Sequence, residues 1–225
     1  MNSLAARALT DLVKKTLMFG LLLFVAAFSL DFWQAWAFLT LFFAAHLLII
    51  IYFLKNDPDL VGRRLKWGPA AENRARQKVI MSLVKLSVAS LMVVAGFDHR
   101  FSWSHVAAFP VIAADAAVLL GFLIQFRAFK ENSFASAVVA IVPQQRLIST
   151  GPYAVVRHPM YVGALVVNFF TPVALGSWWA LPFALAWLIV IRLRLLDEED
   201  LLRQSLPGYE EYCQKVQHRL IPYIW

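Results

Sequence analysis

The sequence predicts an all-α, polytopic membrane protein. It has about six transmembrane segments, the last two paired as a helical hairpin, and ends in a cytoplasmic amphipathic helix. Three observations predict this. Hydrophobic residues make up 60% of the 225 residues and charged residues 16%, against roughly 45–50% and 25% in soluble domains. The apolar stretches are continuous rather than alternating, which suits helices and not a closed barrel of strands. The Lys and Arg residues, 21 in all, gather in alternate loops.

The spans follow in order from apolar run length. The first covers 12–30, its apolar run starting at Leu12 or Leu17, and Asp31 marks a tight turn into the second, 33–54. The third, 79–97, is interrupted by Lys85, and the fourth, 106–126, contains Asp115. The run from Tyr161 to Ile191 is 31 residues long, too long for one ordinary span. Thr171-Pro172 and Gly176-Ser177 punctuate its middle, so it reads as two arms, 159–175 and 178–196. An early apolar run after Lys14-Lys15 could pass for a signal peptide, but a second span follows at once, so an uncleaved anchor is expected.

Charge sets the orientation. Arg7, Lys14 and Lys15 precede the first span, and seven basic residues from Lys55 to Lys78 lie between spans two and three. Four more lie between spans four and five, and five follow the apolar core of the hairpin. Only Arg100 falls in an opposite loop. By the positive-inside rule both termini are cytoplasmic. The net charge of +7 is then a matter of topology and anionic lipid, not of nucleic acid. Cys213 is alone, which excludes a disulfide framework, and no metal cluster is evident. With neither repeat nor linker, residues 1–225 read as one membrane domain.

Two motifs carry chemistry. The first runs from Gly151 to Gly163, a turn-rich polar stretch against an apolar run. The residue before a proline is pushed out of helical conformation, so His158 ends an extended segment and Pro159 opens a helix. The start of that helix, with Arg157 and His158 beside it, suits an anionic group such as a carboxylate. Gly163 permits close approach to the backbone. The plainer reading is a helix start anchored at the headgroups by Arg and Tyr. The second motif is Arg192 to Leu202, where Arg194 and Glu198 share a helix face and four acids, Asp197 to Asp200, stand in a row. Asp197 and Asp200 read as salt-bridge partners, whereas Arg194, Glu198 and Glu199 read as site residues. A hairpin returns them to the side of His158, making a pocket of mixed charge.

These motifs resemble the isoprenylcysteine carboxyl methyltransferase family, in its bacterial form. The resemblance rests on Ser149 to Tyr153 and Val156 to Gly163, with Asn132-Ser133-Phe134 upstream. It continues through Arg194, Glu198-Glu199, Leu206 to Tyr209, Tyr212, Val216 and Arg219 to Pro222. Phospholipid methyltransferases share the general plan. The resemblance implies a catalytic region at 127–225 and S-adenosyl-L-methionine as methyl donor. It implies donor contacts from Tyr153, Val156, His158, Pro159, Tyr161, Gly163, Glu198 and Glu199. Arg194 would orient the acceptor carboxylate, with Glu198 beside it as the second catalytic residue and Asn168 as a further substrate contact. The expected partners are a lipophilic small molecule or prenylated substrate and membrane lipids, with no nucleic acid and no metal. The expected location is a bacterial inner membrane.

A carboxylate is ionised near neutral pH, so methyl transfer to it requires no general base. An amine acceptor would require one. Three other readings remain: an amine or phospholipid N-methyltransferase, a non-catalytic scaffold or transporter, and a membrane reductase using a nicotinamide cofactor. Asp115 and Lys85 are expected to pair within the membrane. Arg63, Arg64 and Lys66 are expected among lipid headgroups. Tyr209, Tyr212, Cys213, Val216 and Leu220 share a helical spacing that would cover the site or lie on the membrane.

Overall fold

The computed structural model describes residues 3–222 and 225. Eight α-helices and two 3-10 turns make up its regular structure, and the described residues include no strand. The helices are α1 (Ser3–Ala27), α2 (Trp33–Asn56), α3 (Pro58–Leu65) and α4 (Ala75–Phe101). They continue with α5 (Ala108–Glu131), α6 (Pro159–Ala174), α7 (Leu181–Ser205) and α8 (Tyr209–Lys215).

Three of these, α2, α4 and α5, are long and apolar enough to cross a membrane, so this is a membrane protein. The other long elements fall short for local reasons. Arg7, Asp11, Lys14 and Lys15 charge the first half of α1, which begins at Ser3 rather than at residue 12. α6 has only 16 residues. α7 starts at Leu181, not at residue 178, and its second half carries Arg192 to Asp200. Residues 175–180 join α6 to α7 through Gly176 in left-handed conformation (φ +72°) and a bond from Ser177 N to Pro172 O.

The helices meet where side chains are small. A Cβ on Gly96 of α4 would lie 2.6 Å from Leu23 O and from Ala26 Cβ of α1. A Cβ on Gly163 of α6 would lie 2.5 Å from Gly121 O of α5, and one on Gly121 would lie 2.8 Å from Gly163 O. Small residues let membrane helices approach to backbone contact, where dispersion and polar bonds replace the hydrophobic effect. Phe32, Phe38, Leu91, Val118 and Leu175 fill the core between α1, α2, α4, α5 and the 175–180 turn.

At one end, Asp98 near the α4 terminus is 1% exposed. It accepts from Ser104 N (2.7 Å) and the hydroxyls of Ser104 (2.8 Å) and Ser177. The expected Lys85–Asp115 pair is absent. Lys85 Nζ lies 4.7 Å from the Trp67 ring centre, and Asp115 Oδ1 has no partner among the described residues. α4 packs against α1 and α7 whereas α5 packs against α6 and α2, so adjacency in sequence does not bring Lys85 and Asp115 together. At the other end, α8 is amphipathic but folded inward. Tyr209 and Tyr212 are buried with Leu206 and Val216.

Candidate active site

The 151–163 motif is built as the sequence dictates. Gly151 takes φ +56° over the Glu131 side chain, which also receives the Thr150 hydroxyl. A 3-10 turn, Gly151–Ala154, then buries Tyr153. His158 caps α6 at φ −129°, ψ 62°, outside the helical region, and Pro159 takes the first position. The free N–H groups expected at this end are partly taken, because Arg157 N donates to His218 O (2.9 Å) and His158 N to Arg219 O (3.0 Å). The C-terminal tail is thus laced onto the start of α6.

The same lacing continues through charge. Glu199, 1% exposed, accepts from Arg157 Nε (2.8 Å), His158 Nε2 (3.1 Å) and Arg219 Nε (3.0 Å). Arg157 also donates to the tail carbonyls of Val216 and Gln217. Burial alone would raise the Glu199 carboxyl, but the His158 bond and the Arg157 and Arg219 charges outweigh it and hold it at about 2. Glu199 is therefore the hub that joins α6, α7 and the tail.

Its neighbour points elsewhere. Glu198 is partly buried and accepts from Tyr161 Oη at 2.6 Å. Arg194 Nε donates to that same phenol at 3.1 Å. The rest of the Arg194 guanidinium is engaged by Glu72 and Gln77 through Nη1, both at 2.8 Å, and by Ala137 O through Nη2 at 2.8 Å. Glu72 and Gln77 are site-supporting residues that sequence reasoning missed. The one signal was an acid, Glu72, set alone among Arg63, Arg64, Lys66, Arg74, Arg76 and Lys78. Asp197 meets its expectation as a structural acid, bound by Arg74 (3.0 Å) and by Gln77.

Tyr153, His158, Tyr161, Glu198, Tyr209 and Tyr212 line one cavity, closed over by residues of the 132–148 segment. Asn132 Nδ2 holds the Tyr153 hydroxyl at 3.3 Å, and Tyr212 Oη donates to Tyr153 O at 2.7 Å. Tyr209 Oη is buried without a hydrogen-bond partner among the described residues. Burial pushes the Tyr153 phenol up to about 12, against the Asn132 bond, and raises that of Tyr209 as well. Both are therefore neutral donors at physiological pH.

Not every residue singled out in the sequence reaches this cavity. Gly163 is spent on contact with α5. Asn168 donates to Ala184 O of α7 (3.2 Å) and does not line this cavity. Val156 and Pro159 are buried beside the cavity as packing. Arg64, expected among headgroups, turns inward. Its Nη1 lies 3.2 Å from Ser136 O and from Met160 Sδ.

Residues 109–207 match the family model described as phospholipid methyltransferase. The Delta(14)-sterol reductase TM7SF2 of Mus musculus is 29% identical over 92 residues, 36% of this chain and 20% of that protein. The nickel-cobalt-cadmium resistance protein NccN of Alcaligenes xylosoxydans xylosoxydans is 36% identical over 78 residues, 31% of this chain and 33% of that protein. The chain spans a fifth of the length of the first relative and a third of the second. The matched stretch contains α5, the His158 motif, α6 and α7 with Arg194, Glu198 and Glu199.

Proposed function

We propose that this protein is an integral membrane methyltransferase. It uses S-adenosylmethionine to methylate the carboxylate of a lipophilic acceptor, an isoprenylcysteine-like acid or prenylated substrate. The observation that carries this is the convergence of Glu198, Tyr161 and the unpartnered Tyr209 hydroxyl on one cavity, mostly within the stretch that matches phospholipid methyltransferase.

The residues fit the donor by their chemistry. Glu198 offers a carboxylate to an ammonium or to ribose hydroxyls, and Tyr209 offers a buried donor that nothing else uses. The rings of Tyr153, Tyr209 and Tyr212 offer flat apolar faces. When bound, S-adenosylmethionine supplies an electrophilic methyl group on a cationic sulfur. Arg194 acts as a positioning residue. It fixes the Tyr161 hydroxyl, and Tyr161 in turn fixes Glu198. His158, Arg157 and Glu199 hold the start of α6 against the tail. A carboxylate acceptor needs no proton removed, so these residues contribute alignment and exclusion of water. The enclosed space is about 90 Å³, small beside the ~300–1,000 Å³ of ligand sites. The 132–148 segment therefore has to give way to admit the donor.

The family description favours a second reading, an amine or phospholipid N-methyltransferase. That chemistry needs a base, and Glu198 is better placed for it than His158, whose Nε2 is committed to Glu199. The sterol reductase relative supports a third, a nicotinamide-dependent reductase. A scaffold or transporter would bind no donor at all. For the membrane arrangement we propose six spans, α6 and α7 forming a hairpin, both termini cytoplasmic, in a bacterial inner membrane.

Calorimetry of the detergent-purified protein with S-adenosylhomocysteine tests the donor. Saturable binding is expected, weakened ~30-fold or more in Glu198→Gln by loss of a charged contact. Absence of binding in the unmodified protein removes both methyltransferase readings. Mass spectrometry of methylated products from lipophilic acids and amines separates the two acceptors.

A further inference from the structure

A second cavity lies across Tyr161 from the first. Met160, Tyr161 and Ser136 line both, so they form the partition. On the far side this space, about 230 Å³, is bounded by Lys15, Arg64 and Gln125. Those three residues also bound a third cavity of about 130 Å³ that continues between α1, α2, α3 and α5. Beyond them its walls are mostly apolar, including Leu12, Ile49, Ile50, Phe53 and Leu60, with Asp11, already paired to Lys15, and His46 as the other polar members. The order from the partition is therefore polar first, then mostly apolar.

The charge at the junction is unbalanced. Lys15 is matched by Asp11 at 2.7 Å, and Asp11 also receives Trp67 Nε1 at 3.1 Å. Arg64 pairs with no carboxylate among the described residues. It has only a carbonyl, a thioether and the face of Phe129, 4.6 Å from its guanidinium carbon. Burial with no acid beside it draws the guanidinium down to about 10, still charged at neutral pH. Arg194, by contrast, has Glu72 against it and no nitrogen to spare. Arg64 is half-buried, and a guanidinium partly withdrawn from water without a counter-ion is suited to take an anion from outside the chain. A forked, planar cation suits a carboxylate above all.

We propose that Arg64, with Lys15 behind it, anchors the acid head of a single-tailed lipophilic carboxylate whose tail enters the mostly apolar cavity, which at about 130 Å³ has to widen, as the donor cavity does, to take a whole chain. The head then lies behind Met160 and Tyr161, facing the donor cavity. The anchoring role that the sequence suggests for Arg194 passes to Arg64. This deepens the methyltransferase reading and rests on it for the acceptor's identity. The anion site itself stands on the cavity and its charge.

The test measures binding of radiolabelled N-dodecanoylglycine to the whole protein in nanodiscs of zwitterionic lipid, without donor. Competitors are its methyl ester and dodecylamine. The acid is expected to bind saturably and to be displaced by unlabelled acid at least ~tenfold better than by ester or amine. Arg64→Gln is expected to weaken the acid at least ~tenfold, with Arg64→Lys intermediate. S-adenosylhomocysteine affinity in the same variants reports folding. Equal displacement by acid, ester and amine in the unmodified protein overturns the proposal whatever the variants do. So does wild-type acid binding in a folded Arg64→Gln. Acid preference without donor binding sinks the methyltransferase reading and leaves the anion site. Donor binding without acid preference does the reverse.

Discussion

The two ends of the molecule each bury an acid, and they do so in opposite ways. Asp98 is closed. Its two oxygens take two serine hydroxyls and one backbone N–H, joining the end of α4 to the turn before α7. At the other end Glu199 is likewise saturated, but by Arg157, His158 and Arg219, and its surroundings are not closed. Glu198 reaches a cavity, Tyr209 Oη has no partner there, and Arg64 has no acid. Buried polar groups in proteins are almost always paired. What distinguishes the two ends is the kind of group left over after pairing: a neutral amide oxygen of Gln34 at the Asp98 end, but a carboxylate, a phenol and a guanidinium at the Glu199 end.

Removing Glu199 is the sharpest way to break the comparison. Glu199→Gln leaves Arg157 and Arg219 buried or half-buried without their anion. A loss of about 3–5 kcal/mol is expected, the usual result of removing one partner from a buried pair, read as a fall in thermal unfolding midpoint in detergent. Its pH dependence has a definite sign. The folded carboxyl is depressed to about 2 from an ordinary 4.5. Its stabilisation is therefore complete above pH 4.5 and is lost as pH falls toward 2. The unmodified protein should lose stability across that window more steeply than the variant. Parallel curves would mean that Glu199 is not the hub.

How much of this was legible depended on whether the signal was local. The α6 start at Pro159, the placement of Tyr161 near Glu198 and the helical class follow from proline chemistry, helix periodicity and apolar run length. The division of labour between Glu198 and Glu199 was not legible. Successive helical residues point about 100° apart, and which one faces the cavity depends on how α7 packs against α6 and the tail. Arg194 looked free because its partners, Glu72 and Gln77, lie more than a hundred residues away. Only three helices are apolar over a whole membrane thickness, because α1 and α7 each combine an apolar half with a charged half and α6 has only 16 residues.

Gly163→Ala sharpens the comparison by separating packing from binding. The new Cβ would fall 2.5 Å from Gly121 O and 2.9 Å from Gln125 N, both backbone atoms that cannot swing aside. Overpacking of this kind costs about 1–3 kcal/mol. Because α6 is the element that carries His158 and Tyr161, the unfolding midpoint should fall and donor affinity should weaken with it. Weakened affinity with an unchanged midpoint would instead place Gly163 against the donor.

The smallest effect on binding is expected at the Asp98 end. Asp98→Asn keeps the shape and two acceptor positions' worth of space, but replaces one oxygen by an amide nitrogen facing the Ser104 and Ser177 hydroxyls. A hydroxyl can rotate to accept, so much of the network survives, whereas the Ser104 N–H still requires an oxygen. The amide therefore has one orientation that satisfies the backbone, and the loss should be about 1–3 kcal/mol, the range for a disturbed charged hydrogen bond. Donor and acid binding at the far end should remain within about twofold, since sites separated by the membrane-spanning length of α4 and sharing no partner behave additively. A change in donor affinity without a change in stability would show that Asp98 has an open partner after all, and the contrast between the two ends would fail.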